Sequence, residues 1–509
     1  MLNLTNVLLI PPAAGALHVG YRYLQSYLEA ERVRKLENTE DPPKAPNQGI
    51  FGINVYRDMA RHKEEHVFLQ KNLERYDELG DTYTSDMFGR TYIDTRDPEN
   101  IKAILSTQFE QFSLGDSRLD AFYPMLGEGI FTHVYGGGPK GEPWRHSRAV
   151  LRPQFARHQI QDLAKLEEFV QNLISRIPRN ETCDLQELFF RLTLDTGKPT
   201  DFLFGESVNS LLPDSPPKET QFYHDFTRGT EICMLRTLLG DLYFLQKDSS
   251  EFKRVSAFVQ EYIDRFTHKA LELHAAGKPT SYDSNGKYVF LEEISKSIRD
   301  PVRLRSELLN ILLAGRDTTA SLLSACFHQL ARHKVVWDEL RKEIMDNVGD
   351  RLPTYEDIKS LRYLRYVLNE TLRLFPVVPW NGRQAVVTTT LPRGGGPDGK
   401  NKILVKKGTF VLYSTWGLHR SKFYGEDTNE FRPSRWETIR PGWNYIPFNG
   451  GPRICLGQQY ALVEASYVIT RLLQVFKDIE NRDPVLPFVE HTTLTLSSEH
   501  GAKVALTPA

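Results

Sequence analysis

Cysteine is scarce in this chain. Only four cysteines occur among 509 residues, and they are too few and too scattered for a disulfide framework or a zinc knuckle. Such low usage fits a reducing compartment, in which a thiol remains available as a ligand. The four are Cys183, Cys233, Cys326 and Cys455.

An excess of charge of either sign is also missing. The chain has 64 lysine and arginine residues against 65 aspartate and glutamate residues, so nothing in the composition indicates a nucleic-acid-binding tail. The Gly-rich segment 135–139 lacks the Lys-Ser/Thr pair of a phosphate-binding loop, and we predict a turn before a helix there. The hydrophobic content of 40% is enough for a large core.

Charged side chains are absent from residues 1–21. This stretch approaches the ~20 apolar residues that span a bilayer, although Pro11-Pro12 interrupts it, and the basic residues that follow favour a cytosolic location for the rest of the chain. We therefore predict that residues 1–39 form a membrane anchor and its flank, lying on or through the endoplasmic reticulum bilayer. A cleaved signal peptide is the alternative.

Most of the remaining chain has the apolar periodicity of helices. The pattern predicts helices over residues 159–177, 251–273 and 302–334, and the last is apolar enough to run through the core. The Gly-rich segment 392–399 separates two strand-like pieces and predicts a hairpin loop. Prolines make residues 40–52 an extended, semi-rigid spacer. The fold class is mainly α with a minor β region.

Cys455 lies among glycines, two residues after Arg453. Backbone N–H groups and a nearby cation stabilise a thiolate, and glycines let the backbone approach the sulfur and a porphyrin closely. A thiolate ligand pushes electron density onto haem iron and favours O–O cleavage. The segment therefore predicts a haem-binding loop, with a buried structural cysteine as the alternative.

Two further motifs each contain an acidic residue, paired with a threonine in one and with an arginine in the other. Asp317 and Thr318 follow a glycine inside the apolar helix, where an acid and an alcohol can relay the protons that O–O cleavage consumes. The alternative is an irregular core helix with Asp317 in a salt bridge. Glu370 and Arg373 share one helix face, and a surface salt bridge is the simplest interpretation of that pair on its own.

Together these motifs resemble those of cytochrome P-450 enzymes. The loop fills every fixed position of Phe-x-x-Gly-x-Arg-x-Cys-x-Gly, and residues 314–319 match the small-Gly-x-acid-Thr-Thr/Ser motif of the central helix. The resemblance covers roughly residues 45–509 and implies one haem domain over 53–509, after the spacer 40–52. It implies that Cys455 binds the iron and that Phe448, Gly451 and Gly457 of the same loop contact the haem. It implies that Asp317 and Thr318 relay protons, and that Glu370, Arg373 and Arg435 form a buried structural triad. The residues that it implies for binding the haem propionates are Trp144, Arg148, Arg383 and Arg453.

The stretch 144–157, the 391–399 loop and residues 457–462 look like the fungal alkane and fatty-acid hydroxylase branch. That resemblance implies haem b (iron protoporphyrin IX), O2, and electrons from NADPH through a membrane-bound NADPH-cytochrome reductase. It also implies hydroxylation at or near the terminal carbon of a long-chain fatty acid or n-alkane. The candidate pocket residues, for which core packing is an equal account, are Leu312, Leu313, Ala314, Val377, Val378, Trp380, Leu496 and Ser497.

One departure from this branch is Arg316, where an uncharged residue is more usual. It either meets a carboxylate substrate or, as we predict, pairs with an acid on the outer face of the helix. Three alternatives to aliphatic hydroxylation also remain. They are oxidation of another hydrophobic metabolite, a reductase-independent thiolate-haem isomerase or dehydratase, and a haem sensor or carrier without enzymatic activity.

Overall fold

The computed structural model describes residues 4–137, 139–155, 163–195, 211, 217–243, 250–276 and 290–509. The helices of this part are α1 (Leu4–Glu37), α2 (Ile53–Glu64), α3 (Phe68–Leu79), α4 (Pro98–Lys102), α5 (Asp116–Leu126), α6 (Glu142–Leu151), α7 (Leu163–Arg176), α8 (Leu185–Asp195), α9 (Pro217–Leu239), α10 (Ser250–Ala275), α11 (Phe290–Ser295), α12 (Pro301–Leu330), α13 (Lys334–Asn347), α14 (Tyr355–Ser360), α15 (Arg362–Leu374), α16 (Thr415–Leu418) and α17 (Gln458–Val475).

The strands form small sheets beside the helices. They are β1 (Thr82–Met87), β2 (Arg90–Thr95), β3 (Phe112–Ser113), β4 (Thr182–Asp184), β5 (Trp380–Ala385), β6 (Thr389–Gly395), β7 (Asn401–Val405), β8 (Phe410–Ser414), β9 (Phe476–Asn481), β10 (Glu490–Thr492), β11 (Leu496–Ser498) and β12 (Lys503–Pro508). The largest sheet has the order β1-β2-β8-β5-β3, in which β2 and β8 run parallel and the other pairs run antiparallel. The predicted fold class, mainly α with a minor β region, is confirmed.

Helix α12 is the central element of the fold. Asp300 caps its N-terminus by accepting from the backbone N–H of Val302, and Pro301 occupies the first turn, where a missing N–H costs nothing. The helix packs against α8, α10, α15 and α17, so apolar side chains are needed around most of its circumference. Its 30 residues extend about 45 Å and carry the predicted acid–alcohol pair into the interior.

The other predicted helices are found with small changes at their ends. Helix α10 covers the predicted segment 251–273, and α7 covers the described part of 159–177, of which residues 159–162 lie outside the described residues. The hairpin loop is shorter than predicted because β6 continues to Gly395, which pairs with Asn401. A register shift between Leu391 and Gly395 absorbs the proline and the glycines, as bulges commonly do.

The Pro-rich segment 40–52 is attached to the sheet, but it is not extended throughout as predicted, because Ile50–Gly52 form a 3-10 turn. The N–H of Ala45 donates to the carbonyl of Thr84 at 2.8 Å, and the N–H of Thr84 donates to the carbonyl of Pro43 at 2.8 Å. Gly52, at the end of the segment, has φ +74°, and a Cβ there would lie 2.0 Å from the Asp86 carbonyl oxygen. The spacer is therefore fixed along the edge of β1, and its last residue must be glycine.

The N-terminal segment forms the single helix α1, which runs through Pro11-Pro12. Over the part of the chain that the structure describes, no helix is both long and apolar enough to cross a bilayer. Further along α1, several large apolar side chains are exposed to solvent. These are Tyr21, Tyr23, Leu24, Tyr27 and Leu28.

Candidate functional site

A cavity of about 870 Å³ lies between the central helix, the loop that carries Cys455 and the sheet. This volume falls within the ~300–1,000 Å³ typical of small-molecule sites. Cys455, Thr318, Arg383 and Trp380 all contribute to its wall. The structure therefore brings the separate sequence motifs together around one space.

The Cys455 loop closes on itself beneath this cavity. The N–H of Cys455 donates to the carbonyl of Phe448 at 3.0 Å, and both residues line the cavity. Gly457 is the N-cap of α17, so the sulfur lies near the positive end of a helix dipole, where a thiolate is favoured. Arg148 lies close enough for its charge to interact with that of Cys455.

The other cysteines are held in a different state. Burial raises the pKa of the Cys183 thiol to about 11 and that of Cys233 and of Cys326 to about 12. A thiol that stays protonated is a poor metal ligand, because the thiolate is the form that binds. Cys455, which is exposed to the cavity, is therefore the cysteine suited to hold iron.

Position 451 requires glycine for a structural reason that the motif alone did not reveal. Its φ is +64°, and a Cβ would lie 1.8 Å from the carbonyl oxygen of Leu105, so no other residue fits. Gly451 is not part of the cavity wall. Gly451 therefore approaches the backbone in the middle of the π-helical turn 103–107, and its predicted contact with the cofactor stays a prediction.

Cationic side chains cluster on one side of the cavity. Trp144 lies between two arginines, with the Arg453 Cζ 4.4 Å and the Arg148 Cζ 5.7 Å from its ring. Arg453 also donates to the carbonyl of His133 at 2.8 Å, and Arg148 donates to the carbonyl of Ile454 at 3.1 Å. The predicted residues Trp144, Arg148 and Arg453 thus lie together, joined by Arg383 in the same wall.

A fifth member of this cluster, Arg118 on α5, escaped the sequence analysis. It lines the cavity, and its Nε is buried with no hydrogen-bond partner among the described residues. Burial and the charge of Arg383 lower the pKa of Arg118 to about 10. No motif surrounds Arg118 in the sequence, so its position could be recognised only once the fold had brought it close to Arg383.

These arginines fit the carboxylates of haem. Burial and the charges of Arg383, Arg118 and Arg148 lower the pKa of Arg453 to about 8, which shows that the cluster repels itself. Two propionates would neutralise that repulsion, and arginine can bind both oxygens of a carboxylate. With a thiol facing the same cavity, the donor set matches a haem whose iron is held by Cys455 and whose propionates meet Arg118, Arg148, Arg383 and Arg453.

The acid–alcohol pair lies on the central helix beside the cavity. Thr318 lines the cavity and its hydroxyl donates to the Ala314 carbonyl at 2.8 Å, the backbone bond expected of a threonine inside a helix. Asp317 is not part of the cavity wall. Burial raises the pKa of Asp317, and the neighbouring Arg316 opposes that rise, so the carboxyl group can carry a proton at a higher pH than an exposed aspartate.

Arg316 pairs with an acid, as predicted, but not on an outer face. Its Nη1 lies 3.3 Å from the Asp317 Oδ1, and its Nη2 donates to the Thr227 hydroxyl at 2.6 Å. The guanidinium group packs over the Tyr223 ring at 4.5 Å and is 2% exposed. The predicted location is wrong because α9 covers this side of α12 and buries the ion pair.

Glu370, Arg373 and Arg435 form the predicted triad in the core. Arg373 binds both oxygens of Glu370 at 2.9 Å, and Arg435 reaches Oε1 at 2.8 Å. The Trp436 indole N–H also donates to Oε2 at 2.9 Å. Asp427 lies 3.3 Å from Arg435 and adds a second carboxylate beside it, which also pairs with Arg432 at 2.7 Å.

The predicted substrate residues divide into two groups. Leu313, Ala314, Val377, Val378 and Trp380 line the cavity. The other three are not part of its wall. Leu312 and Leu496 are buried in the hydrophobic core, and the Ser497 hydroxyl points to the His491 carbonyl at 3.5 Å.

Comparison with known proteins places this site in context. The family model described as Cytochrome P450 matches residues 42–504. The chain is 43% identical over 463 residues to "Cytochrome P450 monooxygenase himC" of Aspergillus japonicus, covering 90% of this chain and 81% of the relative. It is 42% identical to "Cytochrome P450 52A12" of Debaryomyces hansenii, covering 96% of both chains. It is 47% identical to "Cytochrome P450 52A10" of Candida maltosa, covering 91% of this chain and 90% of the relative.

Proposed function

The chain belongs to the cytochrome P450 family and is a haem-thiolate monooxygenase, and we propose that it hydroxylates a long aliphatic chain at or near its terminal carbon. The observation that carries this proposal is the cavity itself, in which Cys455 and Thr318 share a wall with Leu313, Val377 and Val378. A mostly apolar wall with few polar groups suits an aliphatic substrate.

The overall reaction combines RH, O2, two electrons and two protons to give ROH and water. Haem supplies the oxygen-activating chemistry when bound, with electrons from a redox partner. The protein supplies the thiolate of Cys455, the cations that hold the propionates, and an apolar wall that excludes water and orients the substrate. Thr318 and Asp317 relay protons that come from solvent, because burial raises the pKa of the Asp317 carboxyl group and the Thr318 hydroxyl faces the cavity.

Replacing Thr318 with alanine is expected to uncouple the reaction. Without the hydroxyl, protons arrive at the wrong place or too slowly, and electrons are diverted to hydrogen peroxide. Product formed per NADPH should fall by about tenfold, while the haem content stays that of the wild type. Ser324→Ala is the matched control, because the Ser324 hydroxyl makes the same bond to the carbonyl four residues earlier on this helix but lies outside the cavity wall, and this variant should remain coupled. Unchanged product per NADPH in Thr318→Ala would contradict the proton-relay role.

Lys63 on α2 favours a fatty acid over an n-alkane as the substrate. It lines the cavity, and burial lowers its pKa, which the charge of Glu231 partly offsets. A substrate carboxylate near this ammonium group would lower the cost of burying the charge.

Changing Lys63 to methionine tests this preference while keeping an apolar stem. We expect binding of a C16 fatty acid to weaken about threefold to fivefold, because one partly desolvated ion pair is lost. Binding of hexadecane to the same variant should not change, so the alkane serves as the internal control. Both affinities can be measured from the substrate-induced absorption change of the haem. Equal weakening for both ligands would remove Lys63 from substrate recognition.

For the electron supply and location, we propose NADPH-cytochrome reductase and the endoplasmic reticulum membrane, with the catalytic domain in the cytosol. Exposed apolar side chains at two places support contact with a bilayer surface, namely Tyr23 and Leu28 on α1, and Ile50 and Phe51 before α2. Reconstitution in lipid vesicles with this reductase, NADPH and a panel of C8–C18 acids and alkanes tests the complete proposal. Failure to oxidise any member of a broad lipid panel would reject aliphatic hydroxylation.

The isomerase or dehydratase alternative is distinguished by the same assay. Such an enzyme rearranges peroxides without external electrons and has no need of Asp317 and Thr318. A product formed from a lipid peroxide in the absence of NADPH and reductase would favour it. If the substrate is another hydrophobic metabolite, NADPH-dependent oxidation should occur with that metabolite and not with the C8–C18 acids and alkanes.

A further inference from the structure

Two histidines and a glutamate meet on the surface between α3 and the β10–β11 hairpin. They are His66, in the turn between α2 and α3, His491 on β10, and Glu499, which follows β11. One ligand atom from each residue lies within 4.8 Å of the others. From this cluster we propose that the protein binds a divalent transition-metal ion of the zinc type, separate from the haem iron.

The distances suit a small ion after modest side-chain movement. The Oε2 of Glu499 lies 2.7 Å from the Nδ1 of His491 and 3.7 Å from the Nδ1 of His66. A tetrahedral zinc ion with bonds of about 2.1 Å holds its ligand atoms about 3.4 Å apart, between these two separations. The ion would replace the proton that His491 and Glu499 now share. Water would complete the coordination.

The chemistry of the donors favours zinc over calcium or magnesium. Two imidazoles and one carboxylate are a ligand set that zinc commonly takes, whereas calcium and magnesium prefer oxygen ligands alone. The side chains of His66, His491 and Glu499 are 30%, 43% and 39% exposed, so an ion can reach them. The Nδ1 of His66 now lies 2.9 Å from the carbonyl of Glu490, and it would exchange that contact for the metal ion.

The backbone holds the three ligands in place. Both oxygens of Glu490 accept from the N–H of Leu69, at 2.8 and 3.0 Å, which fastens β10 to the first turn of α3. The N–H of Glu499 donates to the carbonyl of Val489 at 2.9 Å, so Glu499 is fixed beside His491. A site built on fastened elements loses little entropy when the metal binds.

His66 occupies a position where glycine is usual. Its φ is +57°, and the N–H of Val67 donates to the carbonyl of His62 while the N–H of His66 donates to that of Lys63. This is the helix-ending motif in which the left-handed residue is most often glycine. An imidazole at this position costs some conformational strain and projects a ligand toward the hairpin.

A metal ion bound at this location would affect the cavity. Phe68 and Leu69 on one side, and Thr492 and Thr493 on the other, line the cavity and closely follow His66 and His491. An ion bound by all three ligands would therefore join two sides of the cavity wall and restrict their separation. This consequence concerns access to the cavity and does not depend on which substrate is oxidised.

Equilibrium dialysis of the full-length holoenzyme against zinc, with metal content measured by mass spectrometry, tests the proposal. The wild type should bind one zinc ion per chain in addition to the haem iron. His66→Asn, which keeps a residue tolerant of the left-handed backbone, and His491→Gln should each lose that ion. The matched control His268→Ala removes an exposed histidine of α10 and should retain it.

Hydrogen exchange supplies a second readout that is independent of catalysis. Zinc should slow exchange in residues 62–70 and 488–500 of the wild type, and a chelator should reverse the effect. His66→Asn should show no such change while its haem absorption stays normal. Wild-type protein that binds no zinc, or His66→Asn and His491→Gln variants that bind zinc as tightly as the control, would overturn the proposal. In either case the monooxygenase assignment would stand.

Discussion

Replacement of Cys455 with serine should abolish the absorption signature of thiolate-ligated haem and lower hydroxylation at least about 100-fold. Serine is nearly isosteric with cysteine but is far less acidic, so it provides no comparable anionic ligand. The loop itself should survive, because its closing bond uses the N–H of Cys455 and the carbonyl of Phe448, neither of which the substitution removes. Absorption of the reduced, carbon-monoxide-bound protein measures the ligand, and product analysis measures the reaction.

Two companion variants separate the thiolate from simple loss of cofactor. Cys455→His offers the iron an imidazole, so we expect haem to be retained without the thiolate signature or the activity. Cys183→Ser is the matched control, because the pKa of Cys183 is raised to about 11 by burial and its thiol faces no cofactor cavity. A thiolate spectrum in Cys455→Ser would place the iron ligand elsewhere, and loss of the spectrum in Cys183→Ser would show that the assay reports general instability.

The local motifs predicted the centre of this site well. The Cys455 loop and the pair at 317–318 are each short in sequence, so their residues are neighbours in any fold that contains them. The central helix was predictable for the same reason, because apolar residues sustained at helical spacing over many turns fit neither a strand nor a loop. What these features share is that chain connectivity alone brings their atoms together.

Features that depend on distant segments were predicted poorly. Arg118 joins the arginine cluster only because the fold brings the start of α5 close to Arg383. Asp427 meets Arg435 only because the loop between them folds back. Arg316 was expected on an outer face, yet α9 covers it. No pattern around any of these residues encodes which distant element will pack there.

Five of the eight predicted substrate residues line the cavity, and Leu312 does not for a geometric reason. Successive residues of a helix point about 100° apart, so adjacent leucines such as Leu312 and Leu313 can differ in whether they face the cavity. An apolar run conceals this difference because every member is hydrophobic. Leu313 lines the cavity and Leu312 is buried in the core. The rotation of α12 about its axis determines which of the two leucines faces the cavity.

Replacement of Glu370 with alanine should destabilise the protein by about 3–5 kcal/mol. The carboxylate is completely buried and accepts from Arg373, Arg435 and Trp436. Its removal takes away the carboxylate that pairs with the buried Arg373 and leaves Arg435 with the partly exposed Asp427, which also pairs with Arg432. Urea denaturation followed by haem absorption and by far-UV circular dichroism should show a lower midpoint, together with reduced haem content after purification.

Glu187 provides the comparison that isolates burial as the cause. It pairs with Arg191 one helical turn away at 2.8 Å, with both side chains largely exposed, so the ionic contact resembles that between Glu370 and Arg373 in spacing and distance. Exposed pairs of this kind contribute about 0.3–0.5 kcal/mol, and Glu187→Ala should barely shift the midpoint. Similar shifts for the two variants would mean that the triad is solvated in solution, and the large penalty for an unpaired buried charge would not apply to it. A large shift confined to Glu370→Ala would identify the triad as a structural requirement behind the Cys455 loop, since none of its three members lines the cavity.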